Sequence, residues 1–279
     1  MSKQISKKVN IKKRSKSFPS VSNAQELMTY LSSTDRDKDE LHHYTTIDRL
    51  DKMIKSGYFI FSSSGNMNDQ NEFNRHNNHH KDIFAGCFSR DSDENIAMWG
   101  MYSIPWEIGV RISIPTKSLK KWIRSNGVME ASDNYEIGNP IERASYTTKL
   151  INVCYVNQTN TRLSWSDRRL YLRDKPELIN WESNSELVEY IKDEAWRYEA
   201  EVRLLIATSD NLPRKRVAIP IDDEFVSTWK ITLGPKFSDK ISHFEINQHM
   251  VVRESRFKNL IIPKMICENC IQKEFKFKD

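Results

Sequence analysis

Short stretches with the two-residue alternation of β-strands recur along most of the chain, and the spacers between them are too irregular for a repeating βαβ plan. LHHY (41–44), YFIF (58–61), DIFAGCFS (82–89) and WEIGVRISI (106–114) read as strands, as do SYTTKLINVCYV (145–156), AEVRLLIA (200–207), RVAIPI (216–221), TWKITLGP (228–235) and VVRESRF (251–257). Helical spacing is confined to short segments. SNAQELMTYLSS starts with a capping Ser22 or Asn23, and Ile47, Leu50 and Ile54 follow a Thr45 or Thr46 cap and stop at Gly57. NIAMWGMYS, SLKKWIRS and FSDKISHFEINQ also read as helices, and TRLSWSDRRLYLRDKPELINWESNSELVEYIKDEAW (161–196) suggests two polar helices around Pro176. The expectation is a single α+β domain over 21–260, with a mixed sheet core, peripheral helices and an insertion at about 126–190, followed by a polar tail over 261–279.

The 279 residues, 38% apolar with 29 aromatic side chains, are enough to build a core. No run of ten apolar residues occurs and the first residues lack the apolar stretch of a secretory signal, so a cytoplasmic protein without a membrane span is expected. Cys87, Cys154, Cys267 and Cys270 are too few and too scattered for a disulfide framework. CENC (267–270) could be half of a zinc site, but nothing nearby completes it, and two surface thiols are the simpler reading.

The net charge of +5 resides in the arm over residues 1–20, where Lys3, Lys7, Lys8, Lys12, Lys13, Arg14 and Lys16 meet no acid; beyond them 36 basic residues face 38 acidic ones. Such an arm is either a solvated disordered tail or a nucleic-acid arm that neutralises phosphates.

Three groups of side chains could carry chemistry. In AWRYEAEVRLL, Glu199, Glu201 and Arg203 share one face of a strand and Ala200, Val202 and Leu204 the other. A solvated ion-paired row is the plain explanation, but the same face continues into Leu205 and Ala207 and turns apolar, as the floor of a cleft would. In NDQNEFNRHNNHH, Glu72, His76, His79 and His80 would share a helical face and could bind a transition metal, although the segment has no apolar face to hold a helix. Trp99 and Tyr102, three residues apart, form either core packing or an aromatic wall for a planar ring. With eight glycines and no GxGxxG, GxxxxGKS or GxSxxG, the common glycine-rich nucleotide cradles are absent.

HYTT (43–46), NMNDQNE (66–72), CFS (87–89), MWGMY (98–102), WRYEAEVR (196–203) and ITLGP (231–235) together resemble the motif order of a bacterial family of uncharacterised proteins, with Gln70 where that family carries proline. That family resembles the ADP-ribosyltransferase fold, in particular the DNA-modifying toxins: HYTTIDRLDKMIKSG is similar to their first strand and helix, EAEVRLL to their late strand. The resemblance implies that NAD is the cofactor, held by His43 with Tyr44 and Thr45, while Ser89 shapes the nicotinamide side and Trp99 or Tyr102 stacks there. It implies Glu201 as the catalytic carboxylate and Glu199 as the group that orients the acceptor, with no metal required. A carboxylate near the ribose would stabilise the oxocarbenium-like state formed when the nicotinamide bond breaks.

The function expected on this basis is an ADP-ribosyltransferase acting as a toxin or phage-defence effector on RNA or single-stranded DNA, with a neutralising antitoxin protein as an implied partner. Modification of a protein, hydrolysis of NAD, a non-catalytic nucleic-acid-binding module and a metal-dependent nuclease at Glu72, His76, His79 and His80 are the competing outcomes. Because neighbours on a strand point to opposite faces, His43 is expected to face the cleft and His42 to face away from it.

Overall fold

The structure, a computed structural model, describes residues 20–21, 24–32, 39–64, 83–156, 162–165, 168–172, 185–210, 212–237 and 251–258. Strand β1 (Ser20–Val21) and helix α1 (Ala24–Ser32) precede β2 (Glu40–Thr46), α2 (Ile47–Ser56), β3 (Tyr58–Ser63) and β4 (Ile83–Ser89). Next come α3 (Ile96–Tyr102), β5 (Gly109–Pro115), α4 (Thr116–Ser125), β6 (Met129–Ala131), β7 (Ile137–Pro140), β8 (Tyr146–Asn152) and β9 (Cys154–Val156). The chain continues through β10 (Arg162–Trp165), β11 (Arg168–Leu172), β12 (Ile191–Asp193), β13 (Glu201–Thr208), β14 (Arg216–Pro220), α5 (Asp223–Ser227), β15 (Lys230–Leu233) and β16 (Val251–Glu254).

Local chemistry accounts for the element ends. Gly57 takes a left-handed φ of 72° and its N–H donates to the Met53 and Ile54 carbonyls, closing α2 as the sequence requires. Thr46 occupies the N-cap position in extended conformation, but its hydroxyl makes no capping bond, and β2 runs through to it. Asn95 caps α3, its Oδ1 accepting from the Ala97 N–H at 2.9 Å.

Where the sequence suggests two polar helices over 161–196, the described residues 162–165, 168–172 and 185–199 form the antiparallel pair β10–β11, 3-10 turns over Ser185–Tyr190 and Glu194–Glu199, and the short strand β12. At 162–165 and 168–172 strand pairing satisfies the backbone in place of helical bonds.

Among the described residues eleven strands form one large sheet, with β4 as its junction. Along one edge β4 pairs with β13 from Glu201↔Ser89 to Ala207↔Ile83, and β13 pairs onward with β8. Its other edge divides: Ser89 pairs with His42 of β2, whereas Phe84 and Ala85 pair with β3. One limb therefore runs β2–β5–β15–β16 and another β3–β14–β6–β7. A second sheet, β1–β11–β10–β9–β12, is built mainly from 154–193. The expected insertion over 126–190 thus divides, since β6, β7 and β8 lie within the large sheet and β9 to β11 in the second one.

The main core fills one face of the large sheet, where Phe59, Phe84, Ile112, Val202, Val217 and Trp229 meet α2, α4 and α5. On the opposite face α1 and β12 cover Ile151 and Leu205, while Tyr44, Met98 and Trp99 make a third small cluster. What lies between these two covers is polar. The basic arm, Glu72, His76, His79, His80, the NMNDQNE motif, the helix expected over 237–248 except its first residue, and Cys267 and Cys270 fall outside the described residues.

Candidate functional site

Residues directly opposite in antiparallel strands project to the same side, so the pairings Glu201↔Ser89, Ser89↔His42, His42↔Ser113 and Ser113↔Lys230 lay a row of polar side chains across five strands. The row lies on the face away from the main core. Beside it, Thr232↔Arg111 and Arg111↔Tyr44 make a second row on the same face.

The part of this face on β2, β5 and β15 opens into a cavity of about 690 Å3. His42, Arg111, Ser113, Lys230 and Thr232 form its floor, and Arg90, Asp91, Ser92 and Glu94 from the loop between β4 and α3 form one wall. Arg90 reaches Asp39 at 3.4 Å, and Lys230 pairs with Glu40. Glu94 is spoken for as well: it accepts from the Trp99 indole N–H at 3.1 Å, from the Ser255 hydroxyl and from the Arg256 N–H at 2.9 Å. The His42 Nδ1 lies 2.8 Å from the Ser113 Oγ. Burial foremost, then the charges of Arg111 and Lys230, lower the His42 pKa to about 3, so its ring is neutral in the ordinary pH range.

Beyond Ser89 the row enters a buried charge network. Arg203 donates to both Glu201 oxygens, from Nε at 2.8 Å and from Nη2 at 3.1 Å, and Lys192 donates to the second at 3.2 Å. Lys192 also donates to Glu199 at 2.6 Å, and the Tyr102 hydroxyl donates to the other Glu199 oxygen. Every oxygen of the two carboxylates therefore has a donor, and two cations balance two anions in a site where Glu199 and Glu201 are each 3% exposed.

The turn that brings the carboxylates together is at Ala200, which takes a φ of 44°, a left-handed conformation uncommon for a residue with a Cβ. Burial, and then the Glu201 charge, raise the Glu199 pKa against the pull of Lys192 and Tyr102. Burial works against the Lys192 ammonium, but the joint attraction of Glu201 and Glu199 raises its pKa overall. Burial and Glu201 hold the Cys87 thiol well above its usual range, which makes it a poor nucleophile.

The expected site residues are thus sorted differently from the sequence reading. Glu199, Glu201 and Tyr102 meet in one network, which is buried rather than a solvated ion-paired row. Ser89 lies between that network and His42, with its Oγ accepting from the Asp91 N–H at 3.2 Å.

The facing of the two histidines is the reverse of the expectation. His42 lines the cavity, whereas His43 occupies the fork between β2 and β3, its ring 5.7 Å from both Phe59 and Phe88 and its Nδ1–H donating to the Cys87 carbonyl at 2.9 Å. Thr45 shares the His43 face and is buried. Tyr44 is on the cavity side, edge-on to Trp99 at 5.0 Å. Trp99 is 1% exposed and offers no ring face for stacking, so core packing accounts for it.

Sequence reasoning missed Lys192, Arg111 and Ser113. Arg111 and Ser113 did leave a signal, because they alternate with Val110, Ile112 and Ile114 on a strand buried along nearly its whole length. A cation on the inner face of such a strand needs a reason. Lys192, in the polar stretch YIKDEAW, left none.

Among the described residues no group of three or more His, Cys, Asp and Glu could hold a metal ion, and no helix is long and apolar enough to cross a membrane. A family described as "Protein of unknown function (DUF2971)" matches residues 98–204, less than half of the chain. The matched span runs from α3 into β13, so it includes Arg111, Lys192, Glu199 and Glu201 and leaves out β2 and β4. No curated protein and no solved structure matches the chain.

Proposed function

We propose that the protein is an NAD-dependent ADP-ribosyltransferase that modifies nucleic acid, RNA or single-stranded DNA, as a toxin or phage-defence effector. The observation that carries the reading is the Glu201–Ser89–His42 row, in which a late strand and the first long strand flank one central strand next to a polar cavity of nucleotide size. The motif order stated above supports the same reading, with His42 in place of His43 on the cleft side. NAD would be the substrate, its diphosphate suited to Arg111 on the floor of the cavity.

The chemistry asked of the chain is limited. The bond between ribose C1′ and nicotinamide breaks, nicotinamide departs neutral, C1′ bonds to the acceptor, and the acceptor's proton passes to a carboxylate. Glu201, fixed in place by hydrogen bonds from Arg203 and Lys192, would supply negative charge for the oxocarbenium-like state. Glu199, whose pKa is raised and which contacts the partly exposed Tyr102, is the better proton acceptor.

Incubation with NAD labelled in its ADP-ribose moiety, together with separate RNA, single-stranded DNA and protein pools, tests this. Label should enter a nucleic-acid pool, and Glu199→Gln should slow transfer by about 100-fold while leaving circular dichroism unchanged. Transfer to no pool, or unchanged transfer in both Glu199→Gln and Glu201→Gln, would sink the proposal.

A second reading, a nucleic-acid-binding module without catalysis, is favoured by one observation: every oxygen of both carboxylates already has a protein donor. Salt-sensitive nucleic-acid binding without NAD turnover would select it.

A further inference from the structure

The cavity floor contains a buried cation, Arg111, with unmet hydrogen-bond donors. Arg111 is 8% exposed, and its Nε and Nη1 are buried without a hydrogen-bond partner among the described residues. Its guanidinium stands 5.8 Å over the Tyr44 ring, a contact that positions it but supplies no counter-charge. Of the acids lining the cavity, Asp39 pairs with Arg90, Glu40 with Lys230 and Glu254 with Lys258, while Glu94 accepts from Trp99, Ser255 and Arg256 and Asp91 from the Asp93 N–H. A buried guanidinium with unmet donors is costly in the empty protein, and a bound anion would remove that cost.

We infer that the cavity floored by Arg111, His42 and Ser113 is a binding site for a phosphoryl anion of diphosphate size, with Arg111 as its principal donor. The planar guanidinium pairs Nη2 with either Nε or Nη1 as parallel donors, the arrangement that grips two phosphoryl oxygens at once. His42 adds a neutral donor. If the Ser113 hydroxyl donates to His42 Nδ1, the proton sits on Nε2 and is available to the anion. The Lys230–Glu40 pair lies on the same floor and adds little net charge, so selectivity falls to Arg111. At about 690 Å3 the cavity also has room for more than the anion, which fits a phosphoryl group carried by a larger polar molecule. The inference goes beyond the transferase reading, because it requires only the anion and no bond breaking.

Titration of the full chain with inorganic pyrophosphate, followed by calorimetry and thermal unfolding, is the test. Pyrophosphate should raise the Tm of the wild-type protein. Arg111→Met should bind it more weakly by about tenfold or more. Without pyrophosphate, Arg111→Met should melt at or above the wild-type temperature, since an uncompensated buried charge has been replaced by an apolar chain of similar length. Lys121→Gln, at an exposed site, should behave as wild type.

Failure of pyrophosphate to stabilise the wild type, equal stabilisation of Arg111→Met, or a lower Tm for unliganded Arg111→Met would each overturn the inference. Pyrophosphate binding without any NAD turnover leaves the anion site standing and removes the transferase. NAD turnover that is indifferent to Arg111→Met does the opposite.

Discussion

His42 and His43 occupy adjacent positions on β2 and have opposite surroundings, one beside charged side chains in a polar cavity and one between two phenylalanine rings. For His42 the consequence can be measured. Its folded pKa of about 3 lies below the ordinary value of 6.5, so across that interval the unfolded chain binds the proton that the folded chain refuses. Stability therefore rises with pH through the window and is lost on acidification, by a few kcal/mol at most, about 1.4 per pH unit. Urea midpoints should fall between pH 6.5 and pH 4 more steeply for the wild type than for His42→Gln; parallel slopes would show that the ring is not held neutral. The groups that set this behaviour, Arg111 on β5 and Lys230 on β15, come from strands far from β2 in sequence. That is why the pair HH could not say which histidine was special.

Elements obeyed their local signals wherever those signals were complete. Gly57 closes α2, and Asn95 opens α3 while its Nδ2 donates to the Tyr198 carbonyl at 3.1 Å, tying the helix to the turn that carries Glu199. Asn95→Ala should therefore cost about 1 to 2 kcal/mol, seen as a fall in Tm of about 2–4 °C for each kcal/mol. An unchanged Tm would mean that the cap contributes nothing. The late glycine of ITLGP has an equally plain role: a Cβ at Gly234 would lie 2.8 Å from the Gly109 carbonyl oxygen, so β15 and β5 could not close there with any larger residue. The hairpin β10–β11 and the 3-10 turns were not legible, because a polar stretch without periodicity takes its conformation from its neighbours.

At the scale of the whole molecule, Lys192 holds the arrangement together. It belongs to β12 of the second sheet, yet it binds Glu199 ahead of β13 and Glu201 within β13 of the large one. Lys192→Met should leave two buried carboxylates facing Arg203 alone and lower unfolding stability by about 3–5 kcal/mol in denaturant titrations. Adding Glu199→Gln to that variant should restore part of the loss, and strictly additive effects would argue against a coupled network. The α+β class, most of the strands, the glycine stop of α2 and the chemical character of EAEVR were readable from residues alone, since each rests on spacing within one segment. The side of a strand that meets a cavity, the cation that reaches a carboxylate from another sheet, and the arginine with unmet donors were settled only by assembly. These depend on strand register across the fork at β4, where a shift of one residue would exchange His42 for His43 and turn every side chain of β2 to the other face.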